Sequence, residues 1–322
     1  MRVGEMQWCA GMLGLFLFAA ACDEKSSAEP DSNDSSGSSA RSSRRSSTSS
    51  SSTSSDKDDQ DAGSSSKSST GKLAVSIEFA ARVGSEDFAC GEEYKKVGSS
   101  KTTVTPRDLR LFVQDVQLID EDGAAVDLEL DVRKPWQSAN VALLDFEDGS
   151  GECGEGTSAM NAKLTGHVPN GTYTGIRFTN GVPEDLNHKD PVEQMDPLKT
   201  SADLSWGWLT GFRFTKIEMA QVGPSAEGIG MIHIGSTGCS GNALAGSVKC
   251  SKPNRNTVEL SDFDPEKNTV VLDVAAIFED TDLTQTAECH GSGEACAPMF
   301  EAFGVDLKNG KALKDQSVYS VE

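Results

Sequence analysis

From Ser26 to Thr70 the chain contains no aromatic and no β-branched aliphatic residue, and serine dominates it, with Asp, Lys, Arg, Thr and Gly making up most of the rest. A segment of that kind has nothing to bury and cannot offset its conformational entropy, so residues 23–71 are expected to form a disordered tether. Any hydrophobic core must then come from residues 72–322. That stretch of about 250 residues is long enough for a sizeable core and is expected to be one large β domain rather than two.

Ahead of the tether, residues 1–22 look like an export signal. Arg2 supplies a weak positive start, and an apolar run extends from Trp8 to Ala21. The run is short of the roughly 20 apolar residues that a membrane span needs, but it suits the apolar region of a signal peptide. It ends Ala19-Ala20-Ala21-Cys22, small residues before a cysteine, which predicts a lipoprotein-type signal with a lipid on Cys22. Ordinary cleavage at the same small residues is the alternative. Either route predicts an exported protein, in the periplasm or at the cell surface, and the lipid would hold it to a membrane.

Six cysteines follow Cys22: Cys90, Cys153, Cys239, Cys250, Cys289 and Cys296. An even number in an exported chain points to disulfides, and no spacing among them matches a zinc site. Cys239 and Cys250 bracket a Gly/Ala/Ser loop, and Cys289 and Cys296 bracket a Gly-rich one. Local pairing of each is expected, which joins Cys90 to Cys153, although the sequence leaves other connectivities open.

Strand signals recur between these cysteines. Leu73, Val75, Ile77 and Phe79 alternate with smaller or polar residues, as do Leu109, Leu111 and Val113. Tyr173–Phe178, Phe212–Ile217, Ile229–Ile234 and Val270–Val274 are further candidates. A period of two marks half-buried strands, and Asp122-Gly123, Asn170-Gly171, Asn180-Gly181 and Asn309-Gly310 supply turns between them. Helical pattern is confined to Cys296–Phe303. The expected fold is all-β: an antiparallel β-sandwich with long loops and one short helix, stapled by disulfides.

The sequence excludes several functions. The formal charge of −21 and the absence of aromatics around Arg41, Arg44 and Arg45 argue against nucleic acid. There is no nucleophile elbow, no H-E-x-x-H and no phosphate-binding loop, so the chain is read as a binding protein and not an enzyme. Asp120/Asp122 and Asp262/Asp264 sit in turn contexts.

Four histidines remain. His167 precedes a turn and reads as a surface residue, and His290 lies inside the Cys289–Cys296 loop. His188 lies in a polar loop after a strand, while His233 interrupts an apolar strand and so needs a polar partner. For His188 and His233 the residues alone leave open a packed histidine or a metal ligand. Trp206-Gly207-Trp208 is similarly open, since strand alternation would place both indoles on one face either as core or beside a redox metal.

A resemblance narrows these alternatives. Phe79–Gly84 with Phe88–Gly91, Asn140–Gly149, Leu186-Asn187-His188, Trp206-Gly207-Trp208 with Gly211–Phe214, and His233–Cys239 occur in the order found in the MbnP-like copper-binding proteins. These are the four-cysteine members of a metallo-mystery pair, and the similarity covers about Lys72 to Val305. It implies an exported copper binder, holding Cu(I) or Cu(II), that partners a dihaem cytochrome c peroxidase-like (MbnH-type) protein. That partner would oxidise a tryptophan of the binding protein to kynurenine. Carried onto this chain, the resemblance makes His188 and His233 the expected copper ligands and Trp206 or Trp208 the residue modified. His167 and His290 fall outside the matched motifs. Met231, two residues before His233, offers a soft sulfur but reads more simply as core. A metal-free cell-surface β-sandwich lipoprotein is the competing reading.

Overall fold

A computed structural model describes residues 71–223 and 226–322. The signal peptide, the Cys22 lipidation site and residues 23–70 of the tether lie outside the described residues. Two main sheets account for most of the rest, and the fold is all-β and sandwich-like.

In the first sheet, Lys72–Val83 lies between Thr269–Asp273 and Lys163–Pro169, with Tyr319–Val321 and Glu129–Leu130 at the edges. The alternation read from the sequence is the observed one: Val75, Ile77, Phe79, Ala81 and Val83 are buried, and the residues between them face outward or are half-buried. The second sheet is organised by the 19-residue strand Thr102–Asp120. Along one edge this strand pairs first with Thr215–Gln221 and then with Tyr173–Asn180. Along the other it pairs with Tyr94–Val97, Val141–Asp145 and Ala125–Asp127. On this second edge the change from Val141–Asp145 to Ala125–Asp127 coincides with a bulge between Gln114 and Gln117, where Asp115 takes φ 50° and bends the strand. The two sheets meet through aromatic edges: Phe79 of the first stands 5.7 Å from Phe178 of the second, which in turn lies 5.2 Å from Tyr319.

The architecture departs from the sequence reading in three places. Lys72–Val83 runs parallel to Thr269–Asp273, and Ile229–Ile234 runs parallel to Ala287–Cys289, so the sandwich is not wholly antiparallel. Both pairs join distant segments by long crossovers, which local periodicity cannot reveal. The expected Phe212–Ile217 strand is split into Gly211–Phe212 and Thr215–Gln221. Ala297–Ala302 is the helix expected near Cys296, but Glu184–Asn187 and Val274–Ile277 add single helical turns. The second begins where a strand was read to end, because the Asp273 side chain accepts from Ala275 N and starts a helix.

The six cysteines form Cys90–Cys153, Cys239–Cys250 and Cys289–Cys296. Among the described residues no helix is long and apolar enough to cross a membrane.

Candidate metal centre

The site starts from the alternation of Thr215–Gln221. Its Ile217 and Met219 face the core, which turns Lys216 and Glu218 to the other face. The register places Arg110 and His233 on either side of Lys216, and Asp108 and Met231 on either side of Glu218. Five of these polar side chains, Asp108, Arg110, Lys216, Glu218 and His233, are nevertheless buried, so a lattice of charge lies inside the protein. Buried charges persist only when paired. Here Arg110 holds Asp108 through two hydrogen bonds of 3.0 and 2.7 Å, and Lys216 Nζ lies 2.7 Å from the same carboxylate. Arg110 also reaches Asp203 at 2.8 Å, and Lys216 lies 3.5 Å from Glu218. Burial works against the charge on Arg110, but its contacts with Asp108 and Asp203 outweigh burial and keep it protonated.

At the far end of the lattice, Asp145 and Glu147 are the carboxyls least well served. Burial, reinforced by Glu147, pushes Asp145 up to about 7. Burial and then the Asp108 charge do the same to Glu147, to about 7 against the pull of Arg110. Both oxygens of Glu147 lack a hydrogen-bond partner, and its nearest cation is Arg110 Nε at 3.5 Å.

At the near end, His233 Nε2 stands 2.8 Å from Glu218 Oε1. Burial disfavours the Glu218 carboxylate, but the His233 hydrogen bond and Lys216 overcome it and hold the group at about 2. Glu218 is therefore an acceptor, the ring proton of His233 sits on Nε2, and Nδ1 carries a free lone pair. Burial, opposed by Glu218, lowers the pKa of His233 and keeps the ring neutral. That Nδ1 lies 3.2 Å from Nδ1 of His290. His290 reaches this position because Ala287–Cys289 runs beside Ile229–Ile234 and the Cys289–Cys296 bridge closes the loop that carries it.

Trp206 completes the site. Its ring centroid is 6.4 Å from that of His233, and a Cβ on Gly235 would meet its Cζ3 at 2.6 Å, so only glycine lets the indole lie this close to the strand. An adjoining cavity of about 330 Å³ is lined by Trp206, Leu209, Thr210, Cys239 and His290.

The donor set fits a borderline or soft ion. Two nitrogens each about 2 Å from one ion at a tetrahedral angle stand about 3.3 Å apart, close to the observed 3.2 Å. A carboxylate behind the ligating ring is the usual arrangement for fixing the tautomer. Imidazole suits copper and zinc alike.

The structure separates the residues singled out in the sequence. His233 is central, but His188 has other partners: Trp208 O at 3.2 Å from its Nδ1 and Cys250 Sγ at 3.4 Å from its Nε2. The two indoles do not share a face. The strand ends at Gly207, whose φ of 133° turns the chain, so Trp206 lies by His233 while Trp208 lines a different cavity with His188. His167 is a surface residue 3.1 Å from Asp131. Met231 lies opposite Glu218 and beside Glu288 in the sheet register. The two ring-nitrogen neighbours of His233, His290 and Glu218, were not among the expected ligands. Lys216 and Glu218 alternate with the core residues Ile217 and Met219, a signal available in the sequence. His290 comes close only through a parallel pairing of distant segments.

A sequence profile described as MbnP matches residues 72–291. Among solved structures, MbnP from Methylosinus trichosporium is 28% identical, with a TM-score of 0.69 over 78% of this chain and 98% of that one. Comparison with curated proteins finds no match.

Proposed function

Because the chain belongs to the MbnP family, we propose that it is an exported copper-binding protein whose metal is held between His233 and His290. The observation that carries this reading is the pair of Nδ1 atoms 3.2 Å apart, one of them fixed as a bare donor by Glu218. With copper held there, His290 carries its proton on Nε2, the side of the ring that lies 3.8 Å from Glu288. The sequence motifs alone pointed to His188 with His233. The proposal moves the second ligand to His290, which faces the same point as His233.

Trp206 is the proposed substrate of a dihaem, peroxidase-like partner. Two equivalents of peroxide, each leaving as water, would supply the two oxygen atoms that cleave the indole C2–C3 bond, and hydrolysis would then release one carbon as formate and leave kynurenine. The amine and carbonyl so formed would provide a donor where indole has none. In this reading the chain is a binding protein and the dihaem partner carries out the oxidation. Attachment through a lipid on Cys22 belongs to the same proposal and would place the site at a membrane surface.

The test is the copper content of the full chain beside its His233→Ala, His290→Ala and His188→Ala variants, before and after exposure to the dihaem partner and peroxide. Loss of copper in the first two variants with retention in the third supports the site. Loss only in His188→Ala and His233→Ala returns the ligand set to the sequence reading. Wild type without copper under both conditions leaves a metal-free β-sandwich.

A further inference from the structure

His188 takes no part in the histidine pair, yet its ring is buried and its proton is placed. Nδ1 faces the Trp208 carbonyl at 3.2 Å and must donate to it, which leaves Nε2 bare. Asn187 accepts from Phe212 N through Oδ1 at 2.9 Å, so its amide nitrogen is the atom that faces Nε2, at 3.2 Å. The remaining neighbour of Nε2 is Cys250 Sγ at 3.4 Å. Nε2 and the sulfurs of Cys239 and Cys250 all lie within 4.8 Å of one another. Two thiolates and one imidazole nitrogen would be a donor set for a soft d10 ion.

The two sulfurs are joined in this structure, and what surrounds the bridge bears on whether it opens. Cys239 and Cys250 stand directly opposite each other in the two-stranded sheet of Thr237–Ser240 and Lys249–Lys252, which pairs with no other described strand. Opening the bridge therefore breaks no ladder of either main sheet. Both cysteines are half-buried, whereas Cys289 and Cys296 are buried and the Cys90–Cys153 bridge pairs a half-buried cysteine with a buried one, so this is the bridge with both of its cysteines open to an attacking thiolate. Its flanks are open too. Cys239 lines the cavity by His290, and His188 lines a second cavity of about 330 Å³ with Lys189, Trp208 and Leu244. With Cα atoms 3.8 Å apart in one hairpin, the sulfurs stay side by side after reduction.

We propose that Cys239–Cys250 is a reducible bridge and that its open form, together with His188, is a second metal site for Cu(I). A dithiol protein of the thioredoxin type supplies the two electrons and two protons. One of its thiolates attacks a sulfur of the bridge, its second thiol resolves the mixed disulfide, and it leaves oxidised while Cys239 and Cys250 become thiols. Binding of Cu(I) releases both thiol protons to solvent, and His188 adds the neutral Nε2 lone pair in place of its contact with Asn187. This site shares no ligand with the His233–His290 pair and exists only in the reduced protein.

The experiment uses the full chain under anaerobic conditions. An immobilised thioredoxin-type dithiol reduces it and is removed, free thiols are mapped by mass spectrometry, and Cu(I) is added as its acetonitrile complex. Cys239 and Cys250 should be labelled before the four cysteines of the other two bridges. The reduced chain should then take up about one more copper than the oxidised chain, with a near-ultraviolet thiolate-to-copper band. Cys239→Ser/Cys250→Ser should abolish the extra copper and the band. His188→Ala should weaken the extra site by at least the roughly tenfold that loss of an outer-shell partner produces. His233→Ala/His290→Ala should leave the increment intact, which separates this proposal from the copper site proposed above. Thermal melting of each oxidised variant checks the fold, and His188→Gln replaces His188→Ala if that variant melts early. A bridge that resists reduction, another disulfide opening first, or an increment that survives in the double serine variant overturns the proposal.

Discussion

His233 and Glu218 sit on adjacent strands, diagonal to each other across the register, with Nε2 and Oε1 2.8 Å apart. This single contact determines which nitrogen of His233 is free to bind a metal. Glu218→Gln keeps the shape but removes the charge that holds the tautomer. Copper affinity at the histidine pair is expected to fall about 10- to 100-fold with the fold retained. Chelator competition against the wild-type protein measures it, and unchanged affinity would show that Glu218 is only a partner for Lys216.

Gly235→Ala tests how Trp206 is seated. The added methyl would meet the indole at 2.6 Å and the carbonyl oxygen of Phe212 at 2.6 Å. Because one of these is backbone, the strain cannot be relieved by a side chain alone, and a cost of about 1–3 kcal/mol is expected. The indole should also swing away from His233, so partner-dependent oxidation at Trp206 should fall further than stability does. Mass spectrometry of the tryptic peptide and urea unfolding report the two effects separately.

The disulfides should divide stability from the site. Cys90–Cys153 closes a separation of 63 residues and Cys289–Cys296 one of only 7. Loop-closure entropy gives about 4 kcal/mol for the first and about 2.5 kcal/mol for the second. Cys289→Ser/Cys296→Ser should therefore be the milder change in denaturant, yet it frees the loop carrying His290 and should lower copper affinity more. Equal loss of copper in both double variants would count against His290 as a ligand.

The buried carboxyls set a pH dependence with two opposed parts. Asp145 and Glu147, both pushed up to about 7, hold more protons when folded than when unfolded. Their contribution is full below the ordinary carboxylate range and is lost as pH rises through about 7. Glu218, held at about 2, contributes above the ordinary range and loses that contribution as pH falls toward about 2. Melting temperature should thus decline from about pH 5 to about pH 8. Asp145→Asn should flatten that decline; a variant curve parallel to wild type would assign the decline to other groups.

How much of this was legible from the chain depends on the range of each interaction. The alternation in Leu73–Phe79 and the cysteines bracketing short Gly-rich loops are local features, and the strand and the local disulfides follow from them. Trp206 and Trp208 looked like a pair because Gly207 was read as ordinary strand. Its positive φ ends the strand and sends the second indole to His188. His290 was out of reach for a different reason: its approach to His233 depends on two strands more than fifty residues apart lying parallel. The charge lattice was half visible, since Lys216 and Glu218 alternate with core residues, but nothing local says that they too are buried.

The parallel pairing of Lys72–Val83 with Thr269–Asp273 has a consequence for how the chain is made. The strand Lys72–Val83 has one flank that only the distant segment Thr269–Asp273 can fill, and Arg82 finds Glu322, farther on still, 2.5 Å away. Contacts so distant in sequence form slowly. Until Thr269–Asp273 has been made, Lys72–Val83 can pair along one edge alone, with Glu86–Asp87 and Lys163–Pro169. The nascent domain therefore carries an open sheet edge until that segment is made, and that is when it is most vulnerable to pairing with another chain.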